Sequence, residues 1–146
     1  MPTIKALNLS KEFPRSPRTT FAGYVIAARM LDKCRAIIAG TANEYHFNCP
    51  LDHMFLSFTD IDPEEFKAYV ATGADDSAVE EWITEKAKEQ CQETIVQWNN
   101  DLRYKRINEM PIELQVFLED YIPKFIPPEK TVYYWFDVYD IEEGRI

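Results

Sequence analysis

Apolar positions along this chain recur mainly with a helical period, and no long segment alternates apolar and polar residues as a half-buried strand would. Tyr24, Ala27, Ala28, Leu31, Cys34 and Ile38 fall on one helical face, predicting a helix from about Thr20 to Ala39 that Gly40 stops. Ile26, Met30 and Ile37 form a second stripe, so this helix is apolar on two sides and belongs at the centre of a fold. Pro50 opens a short second helix with Cys49 before it, and Leu51, Met54, Phe55 and Phe58 form its buried face. Asp62-Pro63-Glu64-Glu65 supplies a cap, a proline at the first helical position and acids suited to the helix dipole. Phe66, Tyr69 and Val70 are the buried side of that third helix, which Gly73 closes.

Asp75 or Asp76 can cap the next segment. Val79, Trp82, Ile83, Ala87, Cys91, Ile95, Trp98 and Leu102 keep one phase over about 76–105, as one long helix or as two joined near Gln90–Gln92. Pro111 blocks continuation, and Leu114, Phe117, Leu118 and Tyr121 mark another helix as far as Pro123. Val132-Tyr133-Tyr134-Trp135-Phe136 has strand propensity, yet Val132, Trp135, Phe136 and Tyr139 share a helical face and no partner strand is in view. We read it as helix. At the other end, Pro2, Pro14 and Pro17 forbid a regular helix over residues 1–18, while Ile4, Leu7, Leu9 and Phe13 hold that arm against the domain. The predicted architecture is all-α: a compact single domain over residues 1–146, a bundle of about six to seven helices with an extended N-terminal arm.

Composition adds three constraints. Apolar residues at 46% and aromatics at 14% provide a core despite a formal charge of -9. No apolar run approaches a membrane span, and no secretory leader is visible. Three cysteines, Cys34, Cys49 and Cys91, are an odd number, which points to reduced thiols and a cytoplasmic location. A pI near 4.7 argues against nucleic acid as a partner. The charge is uneven, however: residues 1–40 carry +5 and the remaining 106 carry -14. Attraction between the two parts within the fold explains this simply. The sharper alternative is an anion site built on Arg15, Arg18, Arg29, Lys33 or Arg35.

Candidate chemistry is densest in Glu44-Tyr45-His46-Phe47-Asn48-Cys49-Pro50-Leu51-Asp52-His53. If Pro50 is the first helical residue, Cys49 is the N-cap, where the helix dipole and free N–H groups favour a thiolate. His46 or His53 would then be its base or cationic partner. His46, Cys49 and His53, completed by Glu44 or Asp52, could also ligate zinc, although H-x2-C-x3-H is not an established zinc spacing. The plainest reading is structural, with Tyr45 and Phe47 anchoring an irregular loop and His46 and Asn48 satisfying its backbone. The acids at 60–65 lack the spacing of a calcium loop, and those at 137–143 are explained as a solvated face. No cofactor motif is present, neither a phosphate-cradling glycine loop nor a nucleophile elbow.

Several of these runs resemble a known family. Phe13-Pro14-Arg15-Ser16-Pro17-Arg18, Gly23-Tyr24, Arg29-Met30 and Asp32-Lys33 are similar to the domain-of-unknown-function family 5069. So are Ala39-Gly40-Thr41, the run Glu44–Asp52, Trp135-Phe136-Asp137 and Glu142-Glu143-Gly144-Arg145. The resemblance covers nearly the whole chain, loosely over 74–130. It implies a compact helical bacterial protein with a helix break near Cys91-Gln92, and it implies no activity, cofactor or catalytic residue.

The functional expectation is a non-enzymatic domain that binds a small anionic ligand or a protein partner, a second copy included. Its surface would combine Arg15, Arg18, Arg29 and Arg35 with Tyr45, Asn48 and His53. The alternative is an enzyme or redox protein using Cys49 with His46, with Arg29 to hold an anion. Third comes zinc binding through His46, Cys49 and His53.

Overall fold

Hydrogen bonding of the backbone, local in some places and between segments in others, sets the helix ends in the computed structural model, which describes residues 6–146. Seven α-helices and one short 3-10 turn, Ile107–Glu109, make up the regular structure, with no strand among the described residues. The fold class is all-α. The chain divides into two units, Met1–Gln92 and Glu93–Ile146.

In the first unit α1 spans Ala27–Ala39, shorter at its N-terminal end than the apolar pattern predicts. The reason is backbone, not hydrophobicity. Phe21 and Tyr24 exchange backbone hydrogen bonds across Ala22 and Gly23, whose φ of 54° and 89° match the positive values of a type I′ turn. Ile26 then sits at φ 74°, an unusual value for a β-branched residue, with its N–H donated to the Pro17 carbonyl at 2.9 Å. Only beyond it can helical dihedrals propagate. At the other end Gly40, φ 75°, donates to Ala36 and Ile37 as the expected left-handed stop.

Helix α1 is the axis of this unit. Ala27 through Cys34 are buried without interruption, so Arg29, Asp32 and Lys33 are buried with the apolar residues around them. Ile38, placed by periodicity on the inner face, is instead 41% exposed. Helices α2 (Pro50–Thr59) and α3 (Pro63–Val70) pack on α1 and begin as the sequence indicates. Cys49 and Asp62 are the N-caps, and the Asp62 carboxylate accepts from the Glu65 N–H. Helix α4 (Asp76–Lys86) is capped by Asp75. Rings tie α3 and α4 together: Phe66 is edge-on to Trp82 at 5.8 Å, and Tyr69 stacks on Trp82 at 5.3 Å.

The long apolar phase over 76–105 is two helices, α4 and α5 (Gln92–Arg103). The break has a physical cause. Ala87 leaves the helix at ψ 140°, Lys88 N–H donates to Thr59 O at 2.7 Å, and the Gln90 side chain donates to Phe58 O at 2.9 Å. The connector is thereby hydrogen-bonded to the end of α2, and Cys91, nominally in phase, is exposed.

Part of the predicted N-terminal arm, with Pro2, Ile4 and Lys5, lies outside the described residues. Beyond it the arm is irregular and fastened to the domain. Leu9 is buried with Ala36 and Ala42, its N–H donates to Thr41 O at 2.8 Å, and the Thr41 hydroxyl donates to Leu7 O at 2.8 Å. Phe13, expected to pack inward, is 53% exposed. Arg15 is the charged fastener. Its Nε and Nη2 donate to the two oxygens of Asp32 at 3.0 Å each, its own N–H donates to Oδ2 at 2.9 Å, and Nη1 reaches Asp76 at 3.2 Å. Arg35 meets the other Asp76 oxygen at 2.7 Å. Arm, α1 and the start of α4 thus share one network. Burial works against the Arg15 cation, but Asp32 and Asp76 outweigh it and raise its pKa. For Asp76 burial pushes upward, and the Arg35 hydrogen bond with the Arg15 and Arg35 charges outweighs it and holds the carboxyl below its ordinary value.

In the second unit, α5 is followed by the 3-10 turn, α6 (Ile112–Phe125) and α7 (Trp135–Glu142). Helix α6 runs two residues past Pro123, whose lost N–H falls in the last turn. The 132–136 segment divides: Trp135 and Phe136 are helical, whereas Val132 and Tyr133 precede the helix and are not strand. Asp137 makes the start of α7 by accepting from both the Tyr133 and Tyr134 N–H groups at 2.9 Å. Asp137 and Asp140, read as a solvated face, are buried, and Arg145 pairs with Asp140 at 2.9 Å and with Glu143 at 2.6 Å.

Two outcomes test this packing. Phe66→Ala should lower the unfolding free energy by about 3–5 kcal/mol in urea titrations, the usual range for a buried phenylalanine. Asp76 has a depressed folded pKa, so its contribution is present above the unfolded carboxylate value and is lost as pH falls through the folded one. Asp76→Asn should therefore be less stable than the parent at pH 7, and the gap should close in denaturation series taken from pH 5 to pH 2.

Candidate functional site

The groups of chemical interest meet where the start of α2 is set against the buried middle of α1. The loop leading into α2 is held from both ends. Thr41 N–H donates to Ala36 O at 2.8 Å and Tyr45 N–H to Ala42 O at 3.0 Å. Phe47 stacks on Phe66 at 6.0 Å, and Tyr45 packs beside the Leu9, Ala36 and Ala42 cluster, under the Arg29 guanidinium at 5.6 Å. Tyr45 and Phe47 thus anchor the loop as the sequence suggests. His46 and Asn48 alternate with them and are exposed. Asn48 adopts φ 62°, turning the chain so that its N–H donates to Asp52 Oδ2 at 3.0 Å. Asparagine tolerates that conformation better than most residues.

Cys49 is the N-cap of α2, with extended backbone (φ -77°, ψ 172°), and its side chain makes no cap hydrogen bond. Its sulfur accepts from Lys33 Nζ at 3.2 Å. Lys33 Nζ also lies 2.9 Å from Asp52 Oδ1, forming an ion pair with side chains 3% and 0% exposed. That carboxylate oxygen receives the charge at short range without a hydrogen bond of good angle, and the ammonium directs an N–H at the sulfur. Lys33, Cys49 and Asp52 are therefore one cluster. The lysine and aspartate are sealed in, and the thiol is partly accessible to solvent.

The three cysteines stand in different surroundings. Cys34 is 0% exposed, and burial pushes its thiol up to about 12. Cys91 is exposed. Cys49 lies between them in accessibility and has a cation in contact.

The predicted anion-site residues are distributed differently. Arg15 and Arg35 both meet carboxylates, and Arg35 Nη2 also donates to Ala74 O at 2.9 Å. Arg29 is buried, donates Nη1 to Arg15 O at 3.3 Å and lies over Tyr45. Arg18 is half-buried, with its N–H donated to Ser16 Oγ at 3.1 Å. An anion would have to displace Asp32 or Asp76 to reach the guanidinium groups of Arg15 and Arg35. Asn48 and His53 are exposed on the loop and on α2. Among the described residues, no group of three or more His, Cys, Asp or Glu side chains is gathered where a metal ion could sit, so His46, Cys49 and His53 do not form a ligand set.

Reading the sequence named Lys33 and Asp52 for other chemistry, one in a basic set and the other as an extra zinc ligand. Their shared role with Cys49 left one local signal. Asp52 stands three residues after the cap, where an acid can reach back to the N–H groups before the helix. Lys33 left only the general one, that a helix apolar on two sides must bury whatever charge it carries.

No helix among the described residues is long and apolar enough to cross a membrane. A search of the curated proteins finds no match to the chain. The family model of DUF5069, a domain of unknown function, matches residues 11–145, the span that holds Arg15, the loop and the Lys33–Cys49–Asp52 cluster, and the chain belongs to that family.

Proposed function

We propose that Cys49 is the working nucleophile of this protein, in thiol-dependent enzymatic or redox chemistry, with Lys33 as its positive partner. The observation that carries this reading is the 3.2 Å contact between Lys33 Nζ and Cys49 Sγ at a partly accessible helix N-cap. A cation donating to sulfur favours every step in which the sulfur bears negative charge, and the helix dipole acts in the same sense. Asp52 holds the lysine in place and keeps the buried charge paired. His46, exposed on the loop, is not required in this scheme.

The test is the rate of iodoacetamide modification at each cysteine of the native protein at pH 7, resolved by mass spectrometry. Removing Lys33 alone would strand a buried carboxylate, so the informative variant is Lys33→Met with Asp52→Asn, which removes both charges and retains an oxygen to accept from Asn48 N–H. Cys49 should slow by about tenfold in that variant, the scale of one charge-assisted hydrogen bond of about 1.5 kcal/mol. His46→Ala should leave the rate unchanged, and Cys34 should stay unmodified. An unchanged Cys49 rate in the charge-free variant would reject the reading.

One observation favours a second reading, association through a protein surface. Helix α6 carries Ile112, Val116 and Phe117 at 63%, 66% and 56% exposure. Light scattering coupled to size exclusion, across a concentration series, should show a dimer that Val116→Ser with Phe117→Ser abolishes. A monomer throughout rules out self-association.

A further inference from the structure

Resting on the thiol reading above, we infer that Lys33 captures the oxidised form of Cys49, so that peroxide converts the pair into a reversible sulfur–nitrogen bridge between α1 and the start of α2. Three features of the cluster lead there. The sulfur is partly accessible, so a small oxidant can reach it. Its hydrogen-bond neighbour is an amine at 3.2 Å and not a second thiol, and no two of the three cysteines are paired. A sulfenic acid with a nitrogen in contact condenses with it, as sulfenic acids do with backbone nitrogen. The third feature is Asp52 Oδ1, 2.9 Å from the same Nζ and placed to take a proton from it.

The chemistry balances with hydrogen peroxide as the only added reactant. The Cys49 sulfur attacks one peroxide oxygen and the O–O bond breaks. The departing hydroxide takes the proton that the thiol gives up and leaves as water. Sulfur has lost two electrons and peroxide has gained them, and Cys49 is a sulfenic acid. Lys33 then passes one proton to Asp52 Oδ1, and its freed lone pair attacks Sγ. The S–O bond breaks, and the leaving hydroxide takes a second proton from Nζ to form another water. What remains is an S–NH link and a neutral Asp52 carboxyl. The buried ion pair has been discharged on both sides, with no lone charge left in the interior. The four-carbon stem of lysine is flexible enough to close the remaining gap without moving either helix. A dithiol reverses the step by attacking the sulfur and returning the amine.

The test uses the full chain with Cys91→Ser, an exposed position, so that the exposed thiol does not form disulfides between molecules. After treatment with hydrogen peroxide and digestion with trypsin, the segment 30–35 should appear joined to the segment 36–67. Its mass should be two hydrogens below the sum of the two, with no cleavage after Lys33, and dithiothreitol should release both pieces. Lys33→Arg keeps a cation but should give no bridge, leaving Cys49 open to trapping by dimedone. Dimedone adducts or sulfinic acid on Cys49 of the parent, with normal cleavage after Lys33, would overturn the inference while leaving the alkylation result of the thiol reading intact. A bridge that retains one oxygen would equally overturn the direct sulfur–nitrogen step.

Discussion

A lysine and an aspartate that are both almost fully buried must be paired, and the Lys33–Asp52 ion pair fixes how α2 begins against α1. Removing one partner from such a pair costs about 3–5 kcal/mol, because the other charge is stranded in a low-dielectric interior. Replacing both with apolar groups is often neutral. The pair is thus a constraint on geometry more than a source of stability. Asp52 uses one oxygen for Lys33 and the other for the Asn48 N–H, so the position of the lysine, the left-handed turn at Asn48 and the N-cap at Cys49 are set together. The sulfur lies against the ammonium as a consequence.

The same economy appears in the arm. Asp32, one residue before Lys33 on α1, takes three hydrogen bonds from Arg15 and so fastens an irregular segment whose prolines deny it helical bonding of its own. Charges on a helix that is buried along most of its length need partners, and here Asp32 meets Arg15 of the arm and Lys33 meets Asp52 of α2. Part of the positive charge of residues 1–40 is used in this way: Arg15 and Arg35 on Asp76, Arg15 on Asp32, Lys33 on Asp52. Attraction within the fold accounts for these pairs without an external anion.

The proposed thiol role rests on what that network leaves open. Its fully buried members are structural by placement, whereas Cys49 is in contact with a buried cation and also reachable from outside. Cys34 shows the contrast, since it is fully buried and burial pushes its thiol up to about 12.

The sequence by itself determined the helical class, several helix starts and some of the caps, with the α4 cap left between Asp75 and Asp76, because these depend on interactions within a few residues. Pro50 and Pro63, the Asp62 cap and the Gly40 stop are of this kind. With Pro50 as the first helical residue, it also placed Cys49 at the N-cap of α2. It could not shorten α1, because the strain at Ile26 is held by a hydrogen bond to Pro17 nine residues away. It could not break the 76–105 segment by periodicity alone, because the break is made by Lys88 and Gln90 bonding to the end of α2. It pointed to His46 or His53 as the partner of Cys49, whereas the sulfur meets Lys33. His46 is three residues away in sequence and exposed, whereas Lys33 is sixteen residues away and is brought to the sulfur by the packing of α2 on α1. Local patterns are written in neighbouring residues, but a buried charge finds its partner only when tertiary packing removes water from both.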